Sequence, residues 1–305
     1  MNLDPALLPM LRLLPDLALI GLGAFLATRI DDTAWKALDR LNFSVLFPAL
    51  LFVAASSRPI ALSDLLSIGL AVLGILGLGL AAGFFLRRYG PREWIDFAGA
   101  WQTAWRFNTA LAFVAVQAFS DTVAGYLAVA IGMAVPMANI LAVGALTGGS
   151  GSRARQILEI VRNPFLIASL AGVGVGLGGV TLPELPNQVV ARLAEAALPL
   201  TLLSLGAALD WSIMFRMTRF NSGLHVVKLL LLPGCVLTAC LALAVPGPIC
   251  AALTLFAALP TASAAHVLAS RYGADRALVA CIVTQSSLIG CLTLPIWCYA
   301  LLSLG

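Results

Sequence analysis

The stretch that decides the fold is residues 94–118, WIDFAGAWQTAWRFNTALAFVAVQA. It is long enough to cross a bilayer, which takes about 20 residues of helix, yet it carries Arg106 and Asn108 near its middle. Arg106 lies roughly 18 Å along such a helix at about 1.5 Å per residue, too deep to reach the membrane surface easily. A charge at that depth usually faces a cavity or a partner. The stretch therefore predicts a membrane helix with a polar interruption.

The composition of the whole chain agrees with a membrane protein. Of its 305 residues, 61% are hydrophobic and 10% are charged, and the mean hydropathy is +0.99. A soluble domain has about 25% charged residues, so a soluble enzyme, a nucleic-acid-binding module and a disordered chain are excluded. The motifs of zinc proteases, serine hydrolases and P-loop proteins are absent from the sequence. We predict a protein that is not an enzyme, with no cofactor and no metal.

Apolar runs between charged or Gly/Pro-rich breaks predict an all-α polytopic fold with ten transmembrane helices. The predicted spans are 10–28, 37–56, 62–86, 94–118, 123–146, 157–179, 188–209, 221–245, 249–270 and 277–303. The loops after odd-numbered spans contain 13 of the 18 Lys and Arg residues, against 3 in the opposite loops. By the positive-inside rule, the odd-span loops are cytoplasmic and both termini lie outside. The high Ala and Leu content suggests a bacterial inner membrane, with the termini in the periplasm.

The chain contains a weak internal repeat of five spans. Span 9 is interrupted at 259–262, LPTA, as span 4 is at 106–109, RFNT. In each half a short turn ending in Asp121 or Asp275 then leads into an apolar helix. Because five is odd, the halves must have opposite orientations, which is a transporter architecture with its site near the midplane. We predict inverted repeats at 1–148 and 157–305, joined by a cytoplasmic linker at 149–156.

Arg106 is the first candidate for ligand binding. A guanidinium can hold a carboxylate through two parallel hydrogen bonds. The alternative is a structural ion pair, for example with Glu195.

The two interruptions form the second candidate group. Pro260 removes a backbone donor and frees carbonyl groups within span 9, and Asn108 and Thr109 occupy the matching place in span 4. If both helices break and cross, their half-helix N-termini point positive dipole ends at the crossing point. Pro260 and Thr261 would then join Asn108 and Thr109 in binding an anion. The alternative is two ordinary kinks packed by neighbouring helices.

Four further polar residues lie within the spans. Asn139 and Gln285 either line the site or form hydrogen bonds between helices. His266 and Glu195 are candidates for proton coupling, although a packed neutral histidine and a surface pair between Glu195 and Arg192 are the simpler alternatives.

Two basic groups lie near the predicted cytoplasmic end of span 8. For His225 and Lys228 we expect side chains that extend to the membrane surface.

Five segments, in this order, resemble the auxin efflux carrier family, which includes plant PIN-type carriers and bacterial malonate and malate carriers. They are 42–52 (NFSVLFPALLF), 102–113 (QTAWRFNTALAF), 136–141 (PMANIL), 163–165 (NPF) and 259–268 (LPTASAAHVL), the last followed by Tyr272 to Asp275. The resemblance implies a bile-acid-symporter-like fold, with a scaffold of spans 1, 2, 6 and 7. It also implies a transport domain of spans 3–5 and 8–10 that moves as an elevator, broken crossing helices 4 and 9, and a homodimer. The PIN-type pattern has proline at both crossing helices, whereas span 4 here has Asn108.

The function predicted from these observations is a secondary active or facilitative transporter of a small organic anion, a carboxylate, with the lipid bilayer as its surroundings. Sodium-coupled symport is an alternative, ranked below uniport or proton coupling because only one carboxylate, that of Glu195, lies well inside a predicted span. A membrane sensor that binds the same anion without transporting it is the alternative from another class. Saturable binding without flux would distinguish it.

Overall fold

The structure is a computed structural model that describes residues 14–56, 61–148, 161–162, 164–180, 182–208, 217–262 and 264–304. Within those residues all regular secondary structure is helical, with no strand. The predicted linker at 149–156 lies outside the described residues. The all-α prediction is confirmed for the described part of the chain.

The helices fall into two sets of similar order. The first set is α1 (Leu14–Leu26), α2 (Asp32–Ser56), α3 (Leu62–Tyr89), α4 (Trp94–Trp101), α5 (Thr109–Val116) and α6 (Asp121–Leu146). The second set is α7 (Pro164–Gly178), α8 (Glu184–Ala208), α9 (Arg219–Ala242), α10 (Gly247–Ala258), α11 (Ala264–Arg271) and α12 (Arg276–Leu304). In both sets the fourth predicted span is divided into two short helices, and a long helix follows it.

Six helices of the described residues are long and apolar enough to cross a membrane: α2, α3, α6, α8, α9 and α12. Four of the shorter ones, α4 with α5 and α10 with α11, are the halves of the two interrupted segments. The other two, α1 and α7, border residues outside the described ranges. The chain is thus a multi-pass membrane protein, while the total of ten spans and the inverted relation of the halves remain predictions.

Helices α1, α2, α7 and α8 pack against one another. Helix α8 contacts α1 and α2, and α7 contacts α2. Glycine makes these approaches possible: a Cβ on Gly206 of α8 would overlap the carbonyl of Ile20, and one on Gly172 of α7 would lie 2.6 Å from the carbonyl oxygen of Phe52. Helices without side chains at the contact point can approach closely in a membrane.

The remaining helices surround the two interruptions. Helix α10 contacts α3, α6, α9 and α12, while α11 contacts α4 and α12. Helix α6 also contacts α2 and α7, so it borders both groups. This arrangement leaves the candidate site between α2 and α8 on one side and the interruptions on the other.

Candidate functional site

A cavity of about 540 Å³ lies where α2, α6 and α8 meet the two interruptions. Its size is within the range of small-molecule sites, roughly 300–1,000 Å³. Its polar side chains are Lys36, Asp39, Arg40, Asn42, Ser44, Arg106, Asn108, Thr109, Asn139, Thr201, Ser204 and His266. Its aromatic walls are Phe43, Phe47, Phe107, Phe165 and Phe256. The cavity thus combines apolar walls with a limited set of polar groups, as ligand pockets do.

The first interruption separates α4 from α5. Helix α4 tightens into a 3₁₀ turn at Gln102–Ala104, and the backbone is not helical from 105 to 108. No proline causes this break. The amide N–H of Asn108 donates instead to the carbonyl oxygen of Pro260, at 2.8 Å. A partner outside the helix therefore replaces the bond that helix geometry would have provided.

The second interruption, at 259–262, contacts the first through side chains as well. Pro260 has no N–H to donate, and the next amide, that of Thr261, donates to Ser286 Oγ of α12 at 3.0 Å. Thr261 Oγ1 donates to the carbonyl oxygen of Thr103 at 3.0 Å. Gln102 Nε2 donates to the carbonyl oxygen of Ala265 at 3.3 Å. These bonds satisfy backbone groups that would otherwise be exposed within a membrane.

Arg106 lies in the first interruption and is 7% exposed. Its Nη1 donates to Gln102 Oε1 at 3.2 Å. Among the described residues no carboxylate forms an ion pair with it. A guanidinium has five N–H donors in a planar fork, so most of its donor capacity is not used by Gln102. The ion pair between Arg106 and Glu195 that we considered is absent, since Glu195 is an exposed residue of α8.

The ionic groups of the cavity have a positive balance. Among the described residues of the lining, Lys36, Arg40 and Arg106 are basic and Asp39 alone is acidic. Asp39 accepts a hydrogen bond from Ser204 Oγ, and Lys36 forms a salt bridge with Asp32 at 2.5 Å. A cleft lined by one sign of charge attracts ligands of the opposite sign. The cavity therefore favours an anion.

The predicted site residues differ in whether they line the cavity. Five of them, Arg106, Asn108, Thr109, Asn139 and His266, line the cavity. Pro260 and Thr261 lie at the second interruption but outside the lining, and Thr261 is buried behind it. Glu195 is exposed, and the described salt bridges include none between it and Arg192.

Gln285 belongs to a separate buried cluster between α9 and α12. Its Oε1 lies 3.3 Å from Asn221 Nδ2, which donates to it, and 3.1 Å from His225 Nε2. The cluster is not part of the cavity lining. Gln285 therefore joins helices in this structure, which was the second of the two roles considered for it.

The expectation that Lys228 and His225 extend to the membrane surface was wrong. Lys228 is 1% exposed and His225 is 5% exposed. Lys228 lies nine residues after Arg219, or about 14 Å along the helix, which is farther than a lysine side chain reaches. That depth is the signal in the sequence that could have identified it. Its burial follows from the packing of α9 against α3, α10 and α12.

The wall contributed by α2 and α8 was not identified from the sequence. Asp39, Ser204 and Thr201 lie on these helices. In the sequence, polar residues of this kind are typical of the ends of any membrane helix, so they do not indicate a site. Their convergence depends on the packing of α8 against α2, which no pattern within either helix reveals.

Comparisons with known proteins find similarity to membrane transport proteins. Residues 152–298 match the family described as membrane transport protein. A protein of Rhizobium meliloti (strain 1021) described as "Putative malonate transporter" is 29% identical over 304 aligned positions, covering 89% of this chain and 89% of that protein. The match to the family contains the second interruption, and the relative matches both halves. Residues 152–298 are thus similar to the membrane transport protein family, and most of the chain is similar to a protein described as a malonate transporter.

Proposed function

We propose that this protein is a secondary transporter of a small organic anion, a carboxylate. The observation that carries the proposal is the guanidinium of Arg106, which is buried, faces a cavity of about 540 Å³ and has no carboxylate partner among the described residues. A buried charge is costly unless it is compensated. The carboxylate of a ligand supplies that compensation. A ligand that binds from one side of the membrane and is released on the other side is transported.

The groups around Arg106 support recognition of a carboxylate. The side chains of Asn108 and Thr109 line the cavity at the start of α5, where the helix dipole and free N–H groups favour negative charge. Asn139 faces them from α6 and can donate to the rest of the ligand. Arg106 holds one carboxylate in a bidentate pair.

A short dicarboxylate is the substrate class that we favour. The relative from Rhizobium meliloti is described as "Putative malonate transporter", and a second arginine of the cavity lining, Arg40, forms no salt bridge among the described residues. A second carboxylate therefore finds a complementary charge within the same cavity.

The position of the cavity supports an elevator mechanism. Helices α1, α2, α7 and α8 pack together as a scaffold, and the interrupted helices pack with α3, α6, α9 and α12 as a transport domain. The cavity lies between the two groups, so sliding of one against the other changes which side of the membrane the anion meets. In a bacterial inner membrane with both termini periplasmic, the end of the cavity near Lys36 and Arg40 faces the cytoplasm.

The test is counterflow of radiolabelled malonate into proteoliposomes, with succinate and acetate as competitors. Arg106→Ala is compared with Arg106→Lys, which keeps the charge but loses the planar fork. Arg192→Ala is the matched control, because Arg192 is an exposed arginine of α8 outside the cavity.

We expect saturable counterflow in the wild type and in Arg192→Ala. Loss of hydrogen bonds to a charged group costs about 2–3 kcal/mol, so the half-saturation concentration of Arg106→Ala rises roughly 30- to 150-fold, with a smaller rise for Arg106→Lys. A folded Arg106→Ala protein with unchanged affinity contradicts the role of Arg106. Saturable malonate binding without counterflow in the wild type contradicts transport and favours a sensor.

A further inference from the structure

Lys228 is a buried amine that the proposed anion site leaves without a role. It lies in a π-helical segment of α9, Val227–Leu231, and is 1% exposed. Its Nζ has no hydrogen-bond partner among the described residues and lies 2.9 Å from the centroid of the Phe107 ring. The face of an aromatic ring attracts a cation, but it does not neutralise the charge of an ammonium group.

The helices packed around this part of α9 present no counterion among the described residues. The buried faces of α3, α10 and α12 contain no Asp, Glu, Lys, Arg or His. Their titratable residues are Cys250, Cys281 and Cys298. On α9 itself the nearest titratable group is His225, whose Nε2 contacts Gln285 Oε1 at 3.1 Å. An ammonium at Lys228 therefore needs an anion from elsewhere.

The cavity that Arg106 lines is a place where such an anion can bind. Phe107 follows Arg106 directly in the chain, lines the cavity, and packs against Phe256 with a distance of 4.2 Å between ring centroids. The Phe107 ring therefore contacts Lys228 Nζ and also lines the cavity in which an anion would contact Arg106. Charges interact strongly across a short distance of low dielectric.

We propose that Lys228 binds the proton that accompanies the transported anion. The proposal rests on the proposed function, since the anion is the one held by Arg106. When the anion enters, the lone pair of Lys228 Nζ takes a proton from water, and the ammonium then lies on the Phe107 ring beside the bound negative charge. When the anion leaves on the other side, the proton returns from Nζ to water. One proton and one anion cross together.

Proton uptake on binding is the direct test. Purified protein is titrated with malonate by calorimetry in buffers of different ionisation enthalpy, which reveals how many protons are taken up per anion. Linkage of one group predicts a value approaching about one in the wild type over the pH range in which Lys228 titrates. Lys228→Arg carries a permanent charge, so we expect it to bind malonate and take up no proton. Lys228→Met has no charge, and we expect its affinity to fall about tenfold or more, again without proton uptake.

Two variants test the competing titratable groups. His225→Gln removes the other ionisable group near Lys228, and His266→Gln removes the histidine of the cavity lining. We expect His225→Gln to retain the proton uptake of the wild type, and His266→Gln to retain the number of protons taken up per malonate bound, whatever its affinity. Loss of proton uptake in His266→Gln, or its persistence in Lys228→Arg, overturns the proposal. Since Lys228→Arg keeps the charge and much of the volume, it provides the test even if Lys228→Met does not fold.

Transport separates this proposal from the proposed function. Exchange of malonate for malonate needs no net proton movement, so Lys228→Arg retains counterflow but loses accumulation driven by a pH gradient. A wild-type protein that neither binds nor exchanges malonate contradicts the proposed dicarboxylate site. A wild-type protein that exchanges malonate but takes up no proton at any pH contradicts only the role of Lys228.

Discussion

Substitution of Gly290 by alanine tests the contact between α12 and the second interruption. A Cβ on Gly290 would lie 2.8 Å from both Cβ and Cγ of Pro260. Carbon atoms in good contact are about 3.5–4.0 Å apart, so α12 and the interruption must separate by about 0.7 Å. The proline ring cannot rotate out of the way. Pro260 is also held by the hydrogen bond from Asn108 N–H to its carbonyl.

The same displacement breaks a hydrogen bond one helical turn away. Ser286 lies four residues before Gly290, and its Oγ accepts from Thr261 N–H at 3.0 Å. An added 0.7 Å or so takes that bond beyond the usual range. Overpacking costs about 1–3 kcal/mol and the lost hydrogen bond about 1 kcal/mol. We therefore expect Gly290→Ala to lose about 2–4 kcal/mol of folding free energy.

In the assay, samples of the detergent-solubilised protein are heated to a series of temperatures. Size-exclusion chromatography then measures the fraction that remains folded. At about 2–4 °C per kcal/mol for a larger domain, Gly290→Ala should unfold roughly 4–16 °C below the wild type. Gly77→Ala is the control, since a Cβ there meets nothing within 4 Å and alanine favours a helix. If Gly290→Ala unfolds at the temperature of Gly77→Ala and keeps full malonate counterflow, the close approach of α12 to Pro260 is wrong.

Two other substitutions test how the helices are held. Thr261→Val keeps the shape of the side chain but removes the donor to the carbonyl of Thr103. We expect this variant to lose about 1–2 kcal/mol of folding free energy, measured by the same unfolding assay. An unchanged unfolding temperature would contradict a role for this bond. Gly206→Ala places a Cβ on the carbonyl of Ile20, whereas a Cβ on Gly21 meets nothing within 4 Å. We expect Gly206→Ala to aggregate or to elute early and Gly21→Ala to elute as the wild type does, and equal elution profiles would contradict the close packing of α1 and α8.

The interruptions were predictable from the sequence because their residues are unfavourable in lipid and are therefore rare within an apolar segment. Arg106 is a charge at mid-span and Pro260 removes a backbone donor, and both are costly in a bilayer unless the protein compensates them. The helical segments followed from hydropathy for the same reason. Each of these signals is carried by a few adjacent residues, so no knowledge of the tertiary structure is needed to recognise it.

The opposite wall of the cavity was not predictable in this way. Lys36, Asp39 and Arg40 lie at the start of α2, where charged residues suit the end of any membrane helix. Their position in a cavity depends on which face of α2 turns towards Ser204 and Thr201 of α8. That orientation follows from packing between helices that are far apart in the chain.

Lys228 was misinterpreted for a related reason. A lysine extends to the membrane surface only when its side chain faces lipid and lies near the helix end. The π-helical segment Val227–Leu231 adds a residue to the local turn and changes the direction of the side chains around it. The apolar run VVKLLL gives no indication of that rotation, so the packing of the amine could not be predicted from the sequence, although its depth in the span could.

The two interruptions depend on each other because they are not chemically equivalent. Pro260 has no N–H, so its interruption can offer the other one a carbonyl oxygen but no amide at that residue. Asn108 has an N–H, and it donates to that carbonyl at 2.8 Å. A proline at position 108, as in the pattern with proline in both helices, could not form this bond. A residue with an N–H at position 108 thus fixes the backbone two residues after Arg106, and with it the position of the guanidinium in the cavity.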